Sequence, residues 1–245
     1  MKKITRLLAL LCALALAVAC FAGCEKEKDV LTVGTNSEFP PFEYKEGGET
    51  VGIDMDIMKE VASILGMELK ISDMEFDSLP NALAAGQIDC IAAGFTSDPT
   101  REETMDFSDT YYEARQSIIV RADSTIASKD DLTGKKLGAQ SGTTGESVAT
   151  DITGKDNVKG YSSAILACED LLTEKLDAVI VDDNPARVIA DEKGDKIKVI
   201  ENQFDEEYYG IAVKKGNSEL LEKINDALKQ IKENGKMDEI VKKYV

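Results

Sequence analysis

From Val30 onward, strand-like apolar runs alternate with helix-like ones. Residues 31–34 make a short β-rich run that opens into a loop holding Pro40 and Pro41. Ile53, Ile57, Val61 and Ile64 then recur at helical spacing, and Gly66 closes that helix. Residues 69–71 predict a strand, 79–85 a short helix and 88–93 a buried strand. This βαβαβ order predicts the α/β class, a mostly parallel sheet covered by helices on both faces.

The pattern then restarts. Strands are predicted at 117–120, 136–139 and 178–181, and helices from near Thr143, over 165–172 and over 186–190. A late strand at 211–213 precedes a long amphipathic helix marked by Leu220, Leu221, Ile224, Leu228 and Ile231, closed at Gly235. A last short helix carries Met237, Ile240 and Val241. Two repeats of the pattern predict two lobes joined by two crossings, near 114–117 and 208–211. One lobe takes residues 30–114 and 209–245, the other 115–208. One large sheet is the alternative that the pattern leaves open.

The N-terminus follows a different rule. Lys2, Lys3 and Arg6 precede an apolar stretch over 7–21 and a small-residue exit, the plan of an export signal over residues 1–23. The stretch is short of the roughly 20 residues of a membrane span. Phe21-Ala22-Gly23-Cys24 looks like a lipobox, with Cys20 as the competing site. The polar run from Glu25 to Asp29 favours Cys24 as the lipidated residue and 24–29 as a tether. Such a protein is exported and anchored to the outer face of the cytoplasmic membrane, in the periplasm where an outer membrane exists. Export permits disulfides, but Cys90 and Cys168 sit far apart in apolar runs and read as buried thiols.

A formal charge of −17 argues against nucleic acid and against docking on anionic lipid through a basic face. The chain has no histidine, which excludes a Ser-His-Asp triad, a Cys-His pair and a histidine zinc site. Gly134-Lys135 lacks the rest of a P-loop. Asp54-Met55-Asp56 lacks the rest of a calcium loop and reads as a helix cap. No metal or cofactor is expected. The remaining chemistry lies in loops at strand ends, where open α/β sheets bind ligands. Arg101 follows Ala93-Gly94-Phe95-Thr96 by a few residues, and its planar fork suits a carboxylate. A surface pair with Glu102 or Asp106 is the alternative. Gln140 to Gly145 is a turn whose amides favour an anion. Asp182 ends an apolar strand and suits either an ammonium or a helix cap. Phe39, Phe42 and Phe76 are core or pocket aromatics.

In order along the chain, these pieces resemble the polar amino-acid family of bacterial solute-binding proteins, extracellular solute-binding protein family 3. The likeness runs from about 31 to 244. It is carried by Val33-Gly34-Thr35, Phe39-Pro40-Pro41-Phe42-Glu43-Tyr44, Val51-Gly52-Ile53-Asp54-Met55-Asp56, Gly86-Gln87-Ile88-Asp89, Thr100-Arg101, Asp106-Phe107-Ser108-Asp109, Leu132-Thr133-Gly134-Lys135, Gln140 to Thr144 and Leu176-Asp177-Ala178. The resemblance implies a two-lobed, type II periplasmic-binding-protein-like fold with two crossover strands as hinge. It implies an ABC-importer receptor, monomeric and not an enzyme, working with a permease and its ATPase. Arg101 would hold the ligand α-carboxylate, helped by Thr96 and the amide region of Thr144, and Thr143 would also belong to the ligand site. Asp182 would receive the α-ammonium, with the Gly94 carbonyl nearby, and Phe39 and Phe76 would flank the ligand side chain. Ala93 departs from the serine of some members. Asn36 stands where several have Asp, which favours a neutral polar ligand such as glutamine or cystine, basic amino acids coming next. Gln140 would touch the distal end. The rival is a cyclohexadienyl dehydratase, an enzyme on the same fold.

Overall fold

The computed structural model describes residues 29–245. The export segment and Cys24 lie outside the described residues. Strand β1 (Val30–Thr35) is followed by a small antiparallel sheet of β2 (Glu38–Phe39), β3 (Glu43–Glu46) and β4 (Glu49–Val51). Helix α1 (Ile53–Leu65) leads to β5 (Glu68–Asp73), and α2 (Leu79–Ala84) to β6 (Cys90–Ile91). β1 lies between β5 and β6 and runs parallel to both. Short α3 (Pro99–Glu102) and β7 (Met105–Phe107) follow.

The chain then enters a second sheet through the long strand β8 (Tyr112–Arg121). β9 (Leu137–Gln140), α4 (Thr144–Thr153), β10 (Val158–Tyr161), α5 (Ala164–Leu172), β11 (Ala178–Asp182), α6 (Asp183–Lys193) and β12 (Ile197–Ile200) build this unit. Its strand order is β10-β9-β11-β8-β12. β13 (Glu206–Tyr209) brings the chain back, pairing antiparallel with the first part of β8, Tyr209 opposite Tyr112 and Glu206 opposite Arg115. β14 (Ala212–Lys214) then inserts between β6 and β7, antiparallel to each. Helices α7 (Ser218–Glu233) and α8 (Lys236–Tyr244) end the chain.

The fold is therefore two α/β units with flanking helices, one on a five-stranded sheet and the other on a six-stranded sheet that includes β13, and two adjacent antiparallel strands run between them. Each sheet is mixed. The parallel part is β5-β1-β6 in the first and β10-β9-β11 in the second, and the strands entering or leaving the other unit add antiparallel edges. Every residue of β11 is buried, as expected of a parallel strand covered on both faces. The apolar stripe of α1, with Ile53, Ile57 and Val61 fully buried, packs on α7 through Ile224, Leu228 and Ile231. Gly66, in the left-handed conformation, ends α1 where the periodicity does.

The cap reading of Asp54 and Asp56 is corrected here. Gly52 occupies the N-cap of α1, and no side chain caps it. Asp56 instead pairs with Lys59 and Lys243, and Asp54 is buried under the site. Cys90 and Cys168 are free buried thiols, and burial raises both above the usual thiol range.

Candidate functional site

Between the two units lies a small, partly open pocket with a volume of about 10 Å³. Phe39, Phe76, Ala93, Gly94, Thr96 and Arg101 line it from the first unit. Gln140, Thr143, Thr144 and Asp182 line it from the second. Asn36 stands one step back: its Oδ1 accepts from Gln140 Nε2 at 2.7 Å, and its Nδ2 donates to the Met74 carbonyl at 3.0 Å. The eleven residues singled out from the sequence thus converge on one place.

Local sequence explains why Arg101 points there. Asp98 caps α3, accepting from the amides of Thr100 and Arg101 at 2.8 and 3.1 Å, and Pro99 fits the first helical position. This turn sends the guanidinium back over the strand end. Its Nη1 donates to the Thr96 carbonyl at 2.7 Å, and Nε lies 3.4 Å from Asp98. The group stacks 4.0 Å from the centroid of Phe95. Nη2 donates to the Gly142 carbonyl of the other unit at 3.0 Å. Arg101 pairs with neither Glu102 nor Asp106; Asp106 binds Lys215.

Asp182 resolves the other ambiguity. It begins α6 but makes no side-chain cap bond. Its carboxylate accepts from the Tyr209 hydroxyl and, at 2.9 Å, from Gln116 Nε2. Burial, reinforced by the negative charge of Glu207, pushes its pKa up to about 7. A cationic group brought beside it would favour its ionised form.

Three groups in and under this site were not legible as site residues. Glu207 accepts from the Thr96 hydroxyl at 2.9 Å and the Thr144 hydroxyl at 2.7 Å. Gln116, fully buried on β8, orients Asp182. Asp54 accepts from the Gly94 amide and the Tyr111 hydroxyl, both at 2.7 Å, which fixes the backbone of the cavity wall. A usable signal existed for Glu207: it lies two residues from Tyr209 on one strand, so both side chains share a face.

Asp54 and its neighbour Glu43 are buried, and among the described residues neither forms an ion pair with a lysine or arginine. Burial, followed by the charge of Asp54, drives Glu43 well above the carboxylate range, and burial raises Asp54 to about 6. Glu43 therefore holds its proton to higher pH than an exposed carboxyl does. Carboxyls whose folded pKa exceeds the unfolded value stabilise the fold fully below the unfolded pKa, and that stability is lost as pH rises through the folded value. With Glu43, Asp54 and Asp182 all raised, the melting temperature of ligand-free protein falls as pH rises from about 4 to 7. Glu43→Gln flattens that slope in a melting series across pH; an unchanged slope would refute the raised Glu43 carboxyl.

Two α/β units, two connecting strands and a charged cavity between the units define a type II periplasmic-binding-protein-like fold. The model of the bacterial extracellular solute-binding proteins, family 3, matches residues 31–245. The chain belongs to this family, which makes it an exported solute-binding protein. The arginine-binding extracellular protein ArtP of Bacillus subtilis is 34% identical over 251 residues, covering 100% of this chain and 98% of that protein. The ABC transporter glutamine-binding protein GlnH of Bacillus subtilis is 35% identical over 226 residues, 90% of this chain and 82% of its own length. An ancestral arginine-binding protein bound to arginine superposes with a TM-score of 0.84 at 40% identity, covering 89% of this chain and 99% of that one. These relatives are binding proteins and not enzymes, which decides against the dehydratase.

Proposed function

We propose that the protein captures a polar α-amino acid as its zwitterion and hands it to the permease and ATPase of an ABC importer. Residues 30–114 and 209–245 act as one lobe and 115–208 as the other, with β8 and β13 as the hinge. The observation that carries this reading is that Arg101 and Asp182 line one pocket from opposite lobes. Arg101 takes the carboxylate and Asp182 the ammonium, so ligand binds the closed arrangement better than the open one and shifts the population toward it. Phe39 and Phe76 flank the ligand side chain. At the distal end the hydrogen-bonded amides of Asn36 and Gln140 are neutral, which suits a side chain such as that of glutamine. A basic amino acid is the second reading. It is supported by the two carboxylates, Asp182 and Glu207, that face one Arg101, and by the arginine-binding relatives. Lipid on Cys24 would tether the receptor to the outer face of the cytoplasmic membrane.

A thermal-shift screen of refolded protein against the common amino acids and cystine tests the reading. A ligand at 100 times its Kd stabilises the fold by about 2.7 kcal/mol. Glutamine giving the largest shift supports the neutral reading, and arginine the basic one. No shift with any amino acid would sink the proposal.

A further inference from the structure

Glu207 sits where three segments meet: the loop after β6, the start of α4 and the hinge strand β8. Its Oε2 accepts from the hydroxyl of Thr96 at 2.9 Å, on one side of the cleft, and from that of Thr144 at 2.7 Å, on the other. Gln116 Nε2 approaches the same oxygen at 3.5 Å and also donates to the Thr144 hydroxyl at 3.2 Å. Neutral donors from both units thus converge on one carboxylate oxygen.

A hydroxyl has one proton to give. With both protons given to Glu207, Thr96 and Thr144 show only lone pairs to the cavity. They then accept hydrogen bonds from the ligand and cannot donate to it. Arg101 and backbone amides are left to read the ligand carboxylate, while the two hydroxyls join Asp182 in facing the ammonium. The Thr96 bond ties the first unit to Glu207 of the second without any ligand atom. We infer that Glu207 is a positioning residue of the binding site, a carboxylate latch that orients the Thr96 and Thr144 hydroxyls as acceptors and holds the closed arrangement together. The proposal deepens the amino-acid reading, but its latch component stands on the protein's own contacts.

The test uses the mature protein, refolded to remove carried ligand, with Glu207→Gln, Thr96→Val and the double variant. Glutamine keeps the size of Glu207 but removes the charge that makes its hydrogen bonds strong. Thr96→Val removes the donor from the first unit while leaving Glu207 intact, so the latch is tested from both ends. Small-angle scattering without ligand is expected to show a larger radius of gyration for each single variant than for the parent. Titration with the amino acid that stabilises the parent most is expected to show a loss of about tenfold for each, in line with one charge-assisted hydrogen bond. The double variant should lose no more than the weaker single one, because both changes break the same bond. An unchanged radius in Glu207→Gln would overturn the latch, and losses that multiply in the double variant would overturn the shared bond. If no amino acid binds the parent, the amino-acid reading falls while the scattering result still decides the latch.

Discussion

Arg101→Ala lowers affinity for the amino-acid ligand by at least 30-fold. Removing one member of a buried, hydrogen-bonded charge pair costs about 2–5 kcal/mol, or roughly 30- to 5,000-fold. The upper half of that range is expected, because among the described residues no other cation lines the pocket. The loss comes in two parts. The ligand carboxylate is left desolvated without its counter-charge, and the Thr96 and Gly142 carbonyls lose the donor that bridges them across the cleft. Arg101→Lys keeps the charge but not the fork, and should recover only part of the affinity. Calorimetric titration of both variants checks this, with circular dichroism to verify folding. Parent-like affinity in Arg101→Ala would remove this residue from the site.

Gly52→Ala destabilises the fold by about 4 kcal/mol or more, a drop in Tm of roughly 8–16 °C at this chain length. Gly52 has φ 130° and ψ −177°, a region open essentially to glycine alone. Space is a second barrier. A Cβ there would lie 2.1 Å from the Phe42 carbonyl oxygen and 2.5 Å from its carbon. That backbone cannot retreat, because the amides of Ile53 and Asp54 donate to the Pro41 and Phe42 carbonyls at 3.0 Å each. Phe42 is fully buried and stacks on Phe39 of the cavity wall, so the strain reaches the site. Gly47→Ala is the control. It also has positive φ, but nothing lies within 4 Å of its Cβ, and it should cost only about 1 kcal/mol. Equal melting temperatures for the two variants would contradict the crowding argument.

Much of this architecture was legible in the chain because its core strands are buried on both faces. β1, β11 and the helices α1 and α7 announce themselves through continuous or periodic apolar positions. The small sheet did not, since Glu43–Glu46 and Glu49–Val51 are mostly polar and their pairing depends on where Pro40 and Pro41 turn the chain. β13 was legible only in part: the return crossing is expected near 208–211, whereas the strand covers Glu206–Tyr209 and owes its form to pairing with β8. For the site, ordered motifs supplied the residues, but the residues alone left roles open. The surface pair of Arg101 and the cap role of Asp182 were both chemically sound. Distance decided between them and the cavity. Asp54 misled because an acid at a helix start is a general capping signal, whereas here a glycine takes the cap and the acid holds Gly94. Glu207 lies in a run of acids at 205–207, and composition cannot separate the one that faces inward.

The most direct test of a zwitterion clamp is calorimetric titration of the parent protein with its best amino acid and two analogues, one lacking the α-carboxylate and one lacking the α-ammonium. The account predicts that each analogue binds at least 30-fold more weakly, since each leaves Arg101 or Asp182 buried without its partner. An analogue that binds as tightly as the parent amino acid would show that one end of the clamp plays no part in capture, and would contradict the account.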